Sequence, residues 1–217
     1  MIKQILFDCG GVLVKLQFRE LMVKISGSEE TADAFISHLW RPGSPWLRYD
    51  KGELNDRDVA AELKNFMPEN LCCFLDEFVE RWLDALPIME GMEEIVDALQ
   101  KAGYPCYLLS NFAVRFAEMP ARTPVLRKLN GMVISSQIHM LKPDPEIFLY
   151  TAKTLGFDPR QTLFVDDSLP NVEGSEKTGM MGYLFTTPAA FVSYLREQGI
   201  LRQDAVTEDC FSKNTVL

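Results

Sequence analysis

Five short apolar runs punctuate the chain: Ile2–Asp8, Pro105–Ser110, Gly131–Ser135, Thr162–Val165 and Gly182–Phe185. In each, the hydrophobic positions are nearly continuous rather than alternating, the pattern of strands buried on both faces of a parallel sheet. Amphipathic stretches separate the later runs. Met92, Ile95, Val96 and Leu99 share one helical face, and Gly103 supplies a stop. Asp144 and Pro145 have the character of an N-cap and a first helical residue. Ile147, Phe148, Thr151 and Leu155 follow, and Gly156 closes that segment. Thr187-Pro188 repeats the start, with Phe191, Val192 and Leu195 as the buried face and Gly199 as the end. Strands alternating with helices predict an α/β fold with a parallel sheet and right-handed crossovers.

One connection is too long for a single crossover helix, since roughly ninety residues separate the first two strands. Within it Leu71, Phe74, Leu75, Phe78, Val79, Trp82, Leu83 and Leu86 recur at three- and four-residue steps. Asn55 is placed to cap a second helix through Val59, Leu63 and Phe66, and Thr31–Trp40 reads as a third. An inserted helical subdomain accounts for this pattern. The expected division is a core of residues 1–15 and 88–201, a cap of 16–87, and a polar C-terminal tail of 202–217, helical or loose.

A chain of 217 residues fits one such core with an insertion. Hydrophobic residues at 47% and charged residues at 24% exclude a disordered, collagen-like or disulfide-scaffold chain. No stretch approaches the ~20 apolar residues that cross a bilayer. Asp8 interrupts the first apolar run and no small-x-small cleavage site follows, so that run reads as a strand and not a signal peptide. A cytoplasmic protein is expected. The net charge of −9, with no basic run, disfavours nucleic acid and leaves a small anionic substrate open, because a metal reverses a pocket's local sign. Five cysteines without CxxC spacing predict reduced, mostly buried thiols. His38 and His139 are far apart, which argues against a histidine zinc site or a Ser-His-Asp triad.

Candidate chemistry sits where the apolar runs end. The first closes in Phe7-Asp8-Cys9-Gly10-Gly11, placing a carboxylate where open α/β sheets bind ligands, beside glycines that let backbone amides approach an anion. The second ends in Ser110-Asn111. Lys142 precedes the Asp144-Pro145 helix start, and the fourth run ends in Asp166-Asp167. Each has a plain alternative: a turn serine, a solvated lysine, a helix-capping acidic pair. Two adjacent carboxylates beyond an apolar strand are costly without a cation, which makes the pair the most telling feature.

In this order the four segments resemble the haloacid dehalogenase superfamily, matching its motifs at Asp8, Ser110, Lys142 and Asp166-Asp167. The Lys-Pro-Asp-Pro-Glu-Ile-Phe segment is the most specific of them. The resemblance implies a Rossmann-like three-layer core with the helical cap of the first subclass. It also implies phosphoryl transfer through an aspartyl-phosphate. Asp8 would be the nucleophile and an Mg²⁺ ligand, the Gly10 carbonyl and Asp167 direct ligands, and Asp166 a water-linked one. Ser110 would donate to a phosphoryl oxygen and Lys142 would neutralise charge, with Gly10, Gly11 and Asn111 contacting the substrate. The implied partner is a small phosphorylated metabolite, with a monomer or homodimer as the acting unit.

One departure matters. Most phosphatases of the family carry a second Asp two residues after the nucleophile, as general acid and base; here that position is Gly10. Cys9 is a poor substitute because adjacent strand residues face opposite sides. The Asp-x-Gly-x-Val pattern, the Lys51-Gly52-Glu53-Leu54 turn and the Leu-Leu-Ser-Asn motif resemble a branch that includes glucose-1-phosphate phosphatases. Trp40, Arg41, Trp46, Arg48 and Tyr49, in a Pro/Gly-containing loop, either contact a sugar or seal the cap core, and Arg115 is similarly open. Two other functions remain: a weakened binding or regulatory protein, and a metal-free 2-haloacid dehalogenase, for which the acidic pair would be superfluous.

Overall fold

A computed structural model describes residues 1–206 of the chain. The apolar runs form β1 (Gln4–Phe7), β2 (Cys106–Ser110), β3 (Gly131–Ile134), β4 (Thr162–Asp166) and β5 (Met181–Leu184). All pairs are parallel, in the order β3-β2-β1-β4-β5. Phe7 stands level with Leu108 on one side and Val165 on the other. That register brings Asp8, Ser110 and Asp166 to the same carboxyl edge.

Burial follows the strand's two-residue period. Ile5 and Phe7 enter the larger core cluster, whereas Leu6 packs with Leu109, Ile147, Phe148 and Phe164 on the opposite face. The expectation of two-sided burial holds for β1 and β4 and fails at the sheet margins. Met181 and Leu184 of β5 and Met132 of β3 are exposed, because an edge strand has one neighbour and the flanking helices cover the middle of the sheet.

Between β1 and β2 the chain forms α1 (Phe18–Ser26), α2 (Glu29–Leu39), α3 (Trp46–Asp50), α4 (Asp56–Phe66), α5 (Glu69–Cys72) and α6 (Leu75–Arg81). A 3₁₀ turn over Trp82–Ala85 ends the insertion, and α7 (Met92–Lys101) leads into β2. The continuous stripe from Leu71 to Leu86 is therefore three short pieces, although Leu71, Leu75, Phe78, Val79, Trp82, Leu83 and Leu86 are all buried. The stretch read as a loop at Trp46 is the helix α3. The two connecting segments run side by side: Lys15 N donates to Pro87 O at 2.8 Å, Gln17 N to Ala85 O at 2.8 Å and Met89 N to Leu13 O at 3.0 Å.

Beyond β2, short turns flank α8 (Met119–Arg122), and α9 (Ser135–Ile138) follows β3. The last three helices are α10 (Pro145–Leu155), α11 (Leu169–Glu176) and α12 (Pro188–Glu197). Their starts obey the sequence signals. The Asp144 side chain accepts from Glu146 N and that of Thr187 from Ala190 N, and Pro fills the next position in each. Of the expected tail, residues 202–205 are exposed, whereas Val206 is buried and Arg196 Nη2 donates to its carbonyl at 2.7 Å. Residues 207–217, Cys210 among them, lie outside the described residues. No helix among the described residues is long and apolar enough to cross a membrane.

Candidate active site

The ends of β1 and β4 place three carboxylates together. One ligand oxygen from each of Asp8, Asp166 and Asp167 lies within 4.8 Å of the others. Beneath them the buried Lys142 Nζ stands 2.8 Å from Asp8 Oδ1 and donates to Asp166 Oδ2 at 2.7 Å. The Asp8 contact is an ion pair. Lys142 is fixed by its backbone: Lys142 N donates to Asn111 Oδ1 at 2.9 Å, and Asn111 Nδ2 donates to Lys142 O at 3.0 Å. The amide of Asn111 thus ties the end of β2 to the lysine loop. Ser110, 1% exposed, closes β2 nearby.

Asp166 is saturated. Besides Lys142, it accepts from Ser168 N at 2.8 Å and from Asn171 Nδ2 at 3.1 Å. Asp167 turns outward beside the motif loop. A Cβ on Gly11, where φ is +71°, would lie 1.9 Å from Asp167 Oδ2, so the absent side chain is what lets this carboxylate rest against the loop. Gly10 is not left-handed, and a Cβ there would meet only Leu16, at 3.1 Å from Cδ2.

Three carboxylates against one ammonium leave the cluster formally two charges negative. Burial raises the Asp8 pKa, Lys142 partly opposes the rise, and the Asp166 charge adds to it. Asp167 is also held above the usual carboxylate range, by desolvation first and then by Asp166. For Lys142 burial works against the charge, but Asp8 and Asp166 outweigh it and keep the ammonium firmly protonated. A divalent cation would offset the excess, and an all-oxygen donor set of this spacing suits Mg²⁺.

Over the cluster lies a cavity of about 150 Å³. Asp8, Gly10, Asn111 and Asp167 form its floor; Phe18, Trp40, Trp46, Trp82, Leu86 and Phe112 form its walls. Trp46 and Trp82 are nearly fully buried, so they both pack the insertion and line the cleft. The arginines weighed for the substrate face elsewhere. Arg41 stacks on Phe66, Arg48 pairs with Glu53 and Glu62, and Arg115 donates to Val79 O, Glu80 O and Glu118. The remaining lining residues, Leu16 and Asp50, carry no motif signal in the sequence.

An acidic cluster at the carboxyl edge of an open parallel sheet, roofed by a helical insertion, defines an α/β enzyme whose site lies where such sheets bind ligands. More particularly, the chain belongs to the haloacid dehalogenase-like hydrolase family, which it matches over residues 2–179. Among curated relatives, it is 28% identical to a D-ribitol-5-phosphate phosphatase of Bacteroides thetaiotaomicron over 82% of this chain and 89% of that one. It is 30% identical to an N-acetylmuramic acid 6-phosphate phosphatase of Pseudomonas aeruginosa over 48% of each, so it spans about half the length of that relative. A HAD family enzyme of Bacteroides thetaiotaomicron, solved as a magnesium complex, superposes with a TM-score of 0.67 at 23% identity, covering 90% of this chain and 98% of that one. That last likeness concerns the fold.

Proposed function

We propose that the protein is a Mg²⁺-dependent phosphomonoester hydrolase, acting through an aspartyl-phosphate on a small phosphorylated metabolite. The convergence of Asp8, Asp166, Asp167 and Lys142 carries this reading. Asp8, Asp167 and the Gly10 carbonyl would hold the ion, with Asp166 linked through water, because its own oxygens are already bonded. When bound, the cation supplies charge neutralisation at a phosphoryl oxygen. Asp8 attacks phosphorus, Lys142 offsets the repulsion between carboxylate and phosphate, and Ser110 and the Gly10-Gly11 backbone orient the phosphoryl oxygens. The leaving group projects between the aromatic walls, so the insertion, residues 16–87, acts as the cap that selects it. The two phosphatase relatives act on phosphorylated sugar derivatives by their names, and a sugar phosphate is the substrate class proposed here. The unpaired cysteines among the described residues accord with a cytoplasmic site of action.

The test is phosphate release from an aryl phosphate and a panel of sugar phosphates, with Mg²⁺ and then with a chelator. Release with Mg²⁺ that chelation abolishes is the expected result. Release unaffected by chelation, or none from any ester, overturns the reading.

A further inference from the structure

We propose that Asp50, carried by the helical insertion, is the general acid and base that the motif loop lacks. The inference rests on the phosphatase reading above.

Gly10 has no side chain to hold a proton, and Cys9 is fully buried with its thiol pushed far up by burial. The cleft narrows the remaining choices. Of the polar residues that line it, Asp8 is the nucleophile, Asp167 belongs to the acidic cluster, and the amide of Asn111 is committed to Lys142. Asp50 remains, a carboxyl-bearing residue of the insertion that lines the same cleft as Asp8 and Gly10 and whose charge interacts with that of Asp8.

Its placement is built into the junction between insertion and core. Ser135 Oγ, just beyond β3, donates to Asp50 O at 2.5 Å. His139 Nδ1 lies 3.0 Å from Lys51 O. Gly52, with φ of +78°, presses against Ser136 so closely that a Cβ would lie 2.2 Å from Ser136 O. Three consecutive residues of the insertion are therefore docked on one short segment of the core, which fixes Asp50 relative to Asp8. Burial, and then the Asp8 charge, raise the Asp50 carboxyl well above its usual range.

The chemistry balances. Asp8 forms a bond to phosphorus, the bond to the ester oxygen breaks with its electron pair staying on that oxygen, and the Asp50 proton moves to it, giving the alcohol. Asp50, now a carboxylate, takes a proton from the water that attacks phosphorus. The Asp8–phosphorus bond breaks, Asp8 regains its electron pair, and hydrogen phosphate leaves.

The experiment compares wild type, Asp50→Asn and Asp50→Glu on phosphate esters from nitrophenyl to primary alkyl, with Mg²⁺ affinity and circular dichroism as controls. In Asp50→Asn, kcat/KM should fall by roughly 10²–10⁴ for alkyl esters and much less for nitrophenyl phosphate. The kcat should fall for every ester as dephosphorylation slows, and Asp50→Glu should recover part of the alkyl activity. An unchanged dependence of kcat/KM on leaving-group basicity, whether kcat/KM falls uniformly or not at all, overturns the assignment. A wild-type protein inactive on the whole series overturns the phosphatase reading itself, an outcome visible without any variant.

Discussion

At position 10 the backbone tolerates a side chain, and its neighbour is the flexible end of Leu16, itself half exposed. Gly10→Asp is therefore a feasible replacement. Placed in the Asp50→Asn background, it should restore alkyl-ester turnover by an order of magnitude or more, since one general acid would substitute for the other; steady-state rates on an alkyl phosphate check this, and no recovery in a folded double variant speaks against it. Position 11 is the reverse case. Gly11→Ala combines a left-handed φ with a Cβ 1.9 Å from Asp167 Oδ2, so Asp167 must move. Mg²⁺ affinity by calorimetry should weaken on the order of 10–100-fold, as when a ligand's supporting contacts are lost. Asp8, Ser110 and Asp166 were legible in the sequence because each closes an apolar run, after Phe7, Leu109 and Val165, whereas Lys142 was legible from its place before the Asp144-Pro145 helix start. Asp50 was not, since nothing in the chain order says that the end of α3 lines the same cleft as the loop after β1.

Element by element, the strongest local signals held. Asn55 accepts from Asp58 N at 3.0 Å at the start of α4, and the Asp144-Pro145 and Thr187-Pro188 starts are as read. Replacing Asn55 with Ala should cost about 1 kcal/mol in urea unfolding while leaving Mg²⁺ affinity unchanged; no measurable loss would show that solvent replaces the cap. What failed was continuity. The apolar stripe from Leu71 to Leu86 has helical spacing, yet it bends through α5, α6 and a 3₁₀ turn to follow the curved interior of the insertion. Helix α3, only five residues long, is too short to announce a period, so its aromatics read as a loop. Strand β5 reads as buried by composition but has a single neighbour, and position in a sheet is a tertiary fact.

For the molecule as a whole, the long connection between the first two strands pointed to helices, which the structure shows as α1 to α6, while their place over the sheet edge came only with the structure. The sheet-edge cluster thus sits at the floor of a cleft walled by Phe18, Trp40, Trp46 and Trp82 on one side and Phe112 on the other, with Asp8 and Asp50 both among its lining residues. The central claim is that Asp8 carries the phosphoryl group in turnover. It is tested most directly by acid-quenching the enzyme during hydrolysis of an aryl phosphate with Mg²⁺ and mapping its peptides by mass spectrometry. The account predicts one phosphoryl group on the peptide containing Asp8, lost on chelation and absent from a folded, inactive Asp8→Asn. Full phosphate release by Asp8→Asn, or a phosphoryl group mapped to another residue, would contradict it.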